Sequence, residues 1–268
     1  MKMSTVWAAR SITRLLIWTA LLAGTPQMVF SASVSVDQEA TQALSPAQRI
    51  EYVTKLGLIQ GHLWVAAQLV EAGHPELGAK HAKHPGQEVY QELSPFFSAT
   101  KSRGFASELE AMSGRFHGGS KADFRRAYVD VMSTVANIVD AQSLSAQAKL
   151  RVVGALVKQA SIEYQAGVKD SAIVDLQEYQ DARGFVEIAH ELLAKDSRFQ
   201  GAASGQTNEL LVQIRAVKML WPSLKPSGEI LGDGHELALL SATLETMANE
   251  PSVARLADGQ RTRHHRVV

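Results

Sequence analysis

The chain has 268 residues, with 27 basic and 27 acidic side chains, nine histidines and no cysteine. Without cysteine there is no disulfide, no thiolate metal site, no covalently attached c-type haem, no lipoprotein anchor through an N-terminal Cys and no Cys nucleophile. The even charge balance argues against a nucleic-acid partner.

The N-terminus reads as an export signal. Lys2, Arg10 and Arg14 precede the apolar run Leu15, Leu16, Ile17, Trp18, Ala20, Leu21, Leu22 and Ala23. That run, roughly ten residues, has the length of a signal-peptide core and is too short to cross a hydrocarbon layer of about 30 Å as a helix. Small residues Ser31, Ala32 and Ser33 follow the Thr25-Pro26 break, so cleavage is expected after Ser31 or Ala32. Residues 1–32 are then a signal peptide, the mature chain is soluble and periplasmic, and residues 33–44 are a flexible lead-in. An uncleaved N-terminal anchor is the alternative. Because three of the 27 bases and none of the 27 acids lie in the signal, the mature chain carries 24 bases against 27 acids, which again disfavours nucleic acid.

Nearly every later segment reads as helix. Ser45-Pro46-Ala47-Gln48 combines an N-cap Ser, a first-turn Pro and a Gln placed for a capping box, opening a helix expected to run to about Glu71 and stop at Gly73. Its middle is apolar nearly all round (Leu58, Ile59, Leu63, Val65, Leu69, Val70), as suits the centre of a bundle. His74-Pro75 opens a second helix to about Lys83, and His84-Pro85 a third that reaches Met112 with an interruption at Ser94-Pro95. After a loop at 114–120, helices are expected over 121–141, 145–169, 175–194 and 207–220, with a Gly/Ala/Ser linker at 197–206. The predicted fold is all-α: an up-and-down helical bundle over 45–221, divisible into sub-bundles 45–113 and 121–221. Residues 222–268 are expected to be a Pro- and Gly-containing extension ending in a disordered basic tail.

Two polar stretches interrupt this apolar pattern. In the first, His62 shares a helix face with Leu58, Ala66 and Leu69, so its imidazole is expected inside. It is then either a core histidine bonded to a carbonyl or carboxylate, or a ligand or proton carrier. His81, His84 and Glu88 are spaced i, i+3 and i+7 and would align on an unbroken helix as a partial cation site. Pro85 makes His84 the expected cap of a new helix, so phase alone leaves open whether they converge. In the second stretch, Glu163 and the pair Glu178 and Asp181 fall on the apolar faces of two consecutive helices, at similar distance from their connection. Facing carboxylates at one level are how helical proteins hold iron or manganese. The competing reading is that Glu178 caps its helix while Glu163 and Asp181 pair with bases such as Lys169 or Arg183. Glu187-x-x-His190 has metal-site spacing, but with Glu191 it lies opposite the apolar stripe and is expected to be a solvated face.

The run Glu163-Tyr164-Gln165-Ala166-Gly167-Val168-Lys169-Asp170, then Ile173-Val174, Glu178-Tyr179 and Phe185, resembles the exported N-terminal helical region of bacterial FTR1-type iron permeases. The resemblance covers about 40 residues. Ser171 stands where that family usually has Gly, and neither further membrane spans nor the permease's Arg-Glu-x-x-Glu motif is present, so the chain is not itself a permease. What the resemblance implies is one helical hairpin and an association with metal uptake, carried by Glu163, Tyr164, Asp170, Glu178 and Tyr179.

The expected function is an exported helical protein binding a divalent or ferric cation, iron first, with Mn, Zn or Cu(II) also suited to imidazole and carboxylate. The expected partners are that ion and an inner-membrane iron permease or other membrane complex. The alternative is a non-catalytic adaptor bundle whose polar core residues fix helix register. No catalytic signature is found, so the chain is not expected to be an enzyme.

Overall fold

Ser45 caps the first helix as its motif predicts, and Gln48 returns the reciprocal bond, in a computed structural model that describes residues 43–250 except 85–88, 117, 200–204, 231 and 233. The expected signal peptide, most of the flexible lead-in and the basic tail lie outside the described residues.

Helix α1 spans Pro46–Glu71. It ends where Gly73 turns left-handed, φ +85°, letting Gly73 N–H reach Val70 O at 3.1 Å and His74 N–H reach Leu69 O at 2.8 Å. These two bonds satisfy carbonyls that the helix end would otherwise leave open. Helix α2, Pro75–His84, folds back onto α1. His84 is therefore the last residue of α2, not the cap of a third helix, and its side chain and Glu88 lie outside the described residues.

The long third helix expected to reach Met112 is broken into α3 (Tyr90–Glu92), α4 (Ser94–Thr100) and α5 (Ala106–Ser113). Lys101 ends α4 in the left-handed region, φ 55°, and Gly104, φ 69°, completes the reversal. Tyr52, Phe96, Phe97, Tyr90 and Phe105 stack around this corner at centroid distances of 4.9–6.1 Å.

Helix α6, Lys121–Ala141, starts from a Ser120/Asp123 capping box, and α7, Ala146–Gly167, from Ser145. The chain then reverses through two-residue strands, β1 (Val168–Lys169) and β2 (Ala172–Ile173), antiparallel with Val168 opposite Ile173. Helix α8, Leu176–Ala194, is capped by Asp175, whose carboxylate accepts from Gln177 and Glu178 N–H. Helix α9, Gly205–Val217, follows.

Residues 235–248, which the sequence places in a Pro/Gly extension, form a further helix, α10 (His235–Ala248), with Leu237, Leu240 and Leu244 buried. Those leucines recur at i, i+3 and i+7, a helical stripe that the prolines and glycines of 222–234 hide.

The result is an all-α bundle. Helices α7 and α8 form its hairpin, α10 packs on α7, and α9 packs on α8 and α10. Helix α1 packs on α2 and α6 and also on α7 and α8, so residues from both sides of the 114–120 loop share one core. Leu56, Ile59, Leu63, Val65, Leu69 and Val70 are all buried around it, as an all-round apolar helix requires. No helix among the described residues is long and apolar enough to cross a membrane.

Candidate metal centre

Where α1 crosses α8, Gly61 and Gly184 meet: a Cβ on Gly184 would fall inside contact distance of Gly61 O, and one on Gly61 would strike the Phe185 ring. Only glycine permits that approach. It places His62, the next residue on α1, against Asp181, one turn before Gly184 on α8. Helix α2, doubled back on α1, adds His81.

The three side chains converge. Nδ1 of His62 lies 2.6 Å and Nδ1 of His81 2.8 Å from the same oxygen, Oδ1 of Asp181. His62 is 5%, His81 1% and Asp181 2% exposed. Each offers a ligand atom within 4.8 Å of the others, and they are the one such group of three or more His, Asp or Glu among the described residues. The edge of the Phe185 ring closes against His62, centroids 5.1 Å apart.

Burial alone would raise the Asp181 carboxyl, but the neighbouring imidazoles, His62 before His81, reverse this and hold it well below the usual carboxylate range. The network continues on α8. Oε1 of Gln180 accepts from His81 Nε2 at 2.7 Å, and Nε2 of Gln180 donates to Leu224 O at 2.8 Å.

Glu163 and Glu178 are half-buried nearer the hairpin end and hydrogen-bond to each other, with Gln159 Nε2 donating to Glu163. Asp181 lies one turn deeper, so the acid facing Glu163 is Glu178. Burial, then the hydrogen bond and charge of Glu163, then Asp181 and Asp175, push Glu178 up to about 8. Glu178, turned to Glu163, does not return the capping bond, and Asp175 N–H goes instead to Gly167 O at 3.2 Å.

The tyrosines beside these acids hold backbone. Tyr164 OH donates to Gly232 O at 3.3 Å and Tyr179 OH to Ser223 O at 3.1 Å. Asp170 and Ser171 make the turn, both at positive φ (50° and 58°).

Arg183, a base proposed for Glu163 or Asp181, pairs instead with Glu187 at 2.8 Å and lies 5.2 Å over the Trp64 ring. Glu187, His190 and Glu191 are half-buried, not a solvated face. Lys218 reaches Glu187 at 2.8 Å and Arg215 Nε lies 3.3 Å from His190 Nε2. These bases come from α9 and the turn after it, which cover this side of α8.

His62, His81 and Asp181 are each legible as candidates, but in separate stretches. Joining them requires knowing that α1 meets α8 at two glycines and that α2 returns along α1. Gln180 was not singled out; a polar side chain in phase with the apolar face of α8 was the available signal.

Residues 140–252, which hold the end of α6 and all of α7 to α10, match the iron permease-associated 4-helix bundle domain. The chain is similar to that domain over less than half its length. Glu163, Glu178, Gln180 and Asp181 lie inside the matching region, while His62 and His81 lie outside it. No curated protein and no solved structure gives a match.

Proposed function

We propose that this protein is exported to the periplasm and holds one divalent or ferric cation, iron before manganese, zinc or Cu(II), between His62, His81 and Asp181. It does so as part of a metal uptake or homeostasis system that includes a membrane iron permease. It carries the ion without transforming it.

The observation behind this reading is the approach of two imidazoles and one carboxylate to within 2.8 Å at a buried three-helix junction. Imidazole and carboxylate are the donors that borderline divalent ions take. Bonds of about 2.0–2.1 Å in a tetrahedral site put ligand atoms roughly 3.4 Å apart. The nitrogen–oxygen separations would therefore open by well under an ångström to admit an ion, whose charge would replace the two hydrogen bonds. The 140–252 match supports iron in particular.

The adaptor reading has its own support. His62, His81, Asp181 and Gln180 already satisfy one another across α1, α2 and α8, which is how a polar core fixes register. Calorimetry of metal-free protein with Fe(II), Mn(II), Zn(II) and Cu(II) separates the two, since an ion bound only by the folded state raises Tm with its concentration. The expected result is a rise for at least Fe(II) that Asp181→Asn and His62→Ala abolish. Flat titrations for all four ions would leave the adaptor.

A further inference from the structure

We infer that Gln180 is a positioning residue for the bound cation: it keeps His81 in the tautomer whose Nδ1 faces the ion, and the backbone at Leu224 aims it. This rests on the cation reading of His62, His81 and Asp181.

Gln180 is 1% exposed, and both ends of its amide are engaged. A backbone carbonyl can only accept, so Leu224 O fixes which end of the amide is the NH2. With Nε2 on Leu224 O at 2.8 Å, Oε1 faces His81 Nε2 at 2.7 Å. The flipped amide would set Oε1 against Leu224 O and leave that carbonyl without its donor, at a cost of about 1–3 kcal/mol.

His81 Nε2 must therefore carry the hydrogen. The other nitrogen, Nδ1, points at Asp181 Oδ1 and donates to it in the metal-free protein; a cation bound there would release that proton to solvent and take the Nδ1 lone pair. An outer acceptor that fixes the tautomer and ring plane of a ligating histidine is a regular part of protein metal sites.

The segment that does the aiming is itself tied to α8. Trp221 Nε1 donates to Tyr179 O at 2.7 Å and Tyr179 OH donates to Ser223 O at 3.1 Å. Residues 221–224 thus grip Tyr179 and Gln180 together, and the connection between α9 and α10 becomes part of the cation site although it supplies no ligand.

The test uses the full mature chain with Zn(II) as a diamagnetic probe, reading affinity by calorimetry and the His81 ring by 15N NMR. Wild type should show a protected His81 Nε2–H that persists when Zn(II) binds at Nδ1. Gln180→Met, which removes both amide bonds at similar length, should lose that resonance and weaken Zn(II) about 10- to 100-fold. Gln180→Glu keeps an acceptor for His81 but loses the donor to Leu224 O, so it should keep the Nε2–H resonance and recover part of the affinity lost in Gln180→Met, which a merely space-filling role does not predict. Wild-type affinity in Gln180→Met, or a Zn(II)-loaded ring protonated on Nδ1, would overturn the inference and leave the cation reading standing. A wild type that binds none of Fe(II), Mn(II), Zn(II) and Cu(II) would instead remove the cation reading, and the positioning role with it; if Zn(II) alone fails to bind, the same affinity comparison is read with the ion that does.

Discussion

Among the described residues, Glu178 is the carboxyl whose environment most favours its neutral form, pushed up to about 8 by burial and then by Glu163. A carboxyl that binds its proton more tightly when folded stabilises the fold at low pH and loses that contribution as pH rises through its folded value. The loss should therefore run from about pH 4.5, the ordinary Glu range, to about pH 8, softened by water at this half-buried position. In thermal scans between pH 5 and 9, Glu178→Gln should flatten the decline, because a neutral amide can donate to Glu163 at any pH. Parallel wild-type and variant curves would show that the pair shares no proton. The same residues mark how far the sequence could be read. Helical phase put Glu163, Glu178 and Asp181 on inward faces, and all three are at least half-buried. Phase does not say which neighbouring helix each face meets. Asp181 meets the imidazoles of His62 and His81, and Glu163 meets Glu178.

Elements whose ends are written in local chemistry fall where expected: Ser45 with Gln48, Asp175, and the glycine stop at Gly73. The turn between α7 and α8 is a sharper case. Asp170 and Ser171 both sit in the left-handed region, φ 50° and 58°, a two-residue reversal that glycine adopts freely and a serine adopts at a cost. Ser171 O also accepts from Ile230 N–H at 2.9 Å, so the turn holds the segment after α9. Ser171→Gly keeps that carbonyl and relieves the backbone, and should raise stability by about 0.5–1 kcal/mol in urea unfolding. A neutral or destabilising result would mean that the turn relaxes in solution to a conformation serine prefers. Other boundaries depend on packing. The break of the third helix at Lys101 and Gly104 accompanies the Tyr90, Phe97 and Phe105 cluster, which packs through Phe97 on Tyr52 of α1.

At the scale of the whole molecule, α10 decides whether residues 222–250 are appendage or core. A reading dominated by Pro222, Pro226, Gly228, Gly232 and Gly234 treats them as appendage, because those residues end helices. The leucine stripe beyond them makes them core: Leu237 and Leu244 are fully buried, Leu240 is 3% exposed, and α10 covers α7. The connection into α10 also carries the acceptors for Tyr164, Tyr179 and Gln180 at Gly232, Ser223 and Leu224. Cutting the chain after Trp221 would remove those three leucines, expose the α7 face beneath them, and strand the buried hydroxyls of Tyr164 and Tyr179. Full burial of each leucine is worth about 1.5–3 kcal/mol, so the total loss is comparable to a domain's whole net stability of about 5–15 kcal/mol. The truncated chain should therefore lose its cooperative thermal transition. If the chain ending at Trp221 melted cooperatively near wild-type temperature, α10 would be a separable appendage and the four-helix unit would not depend on it.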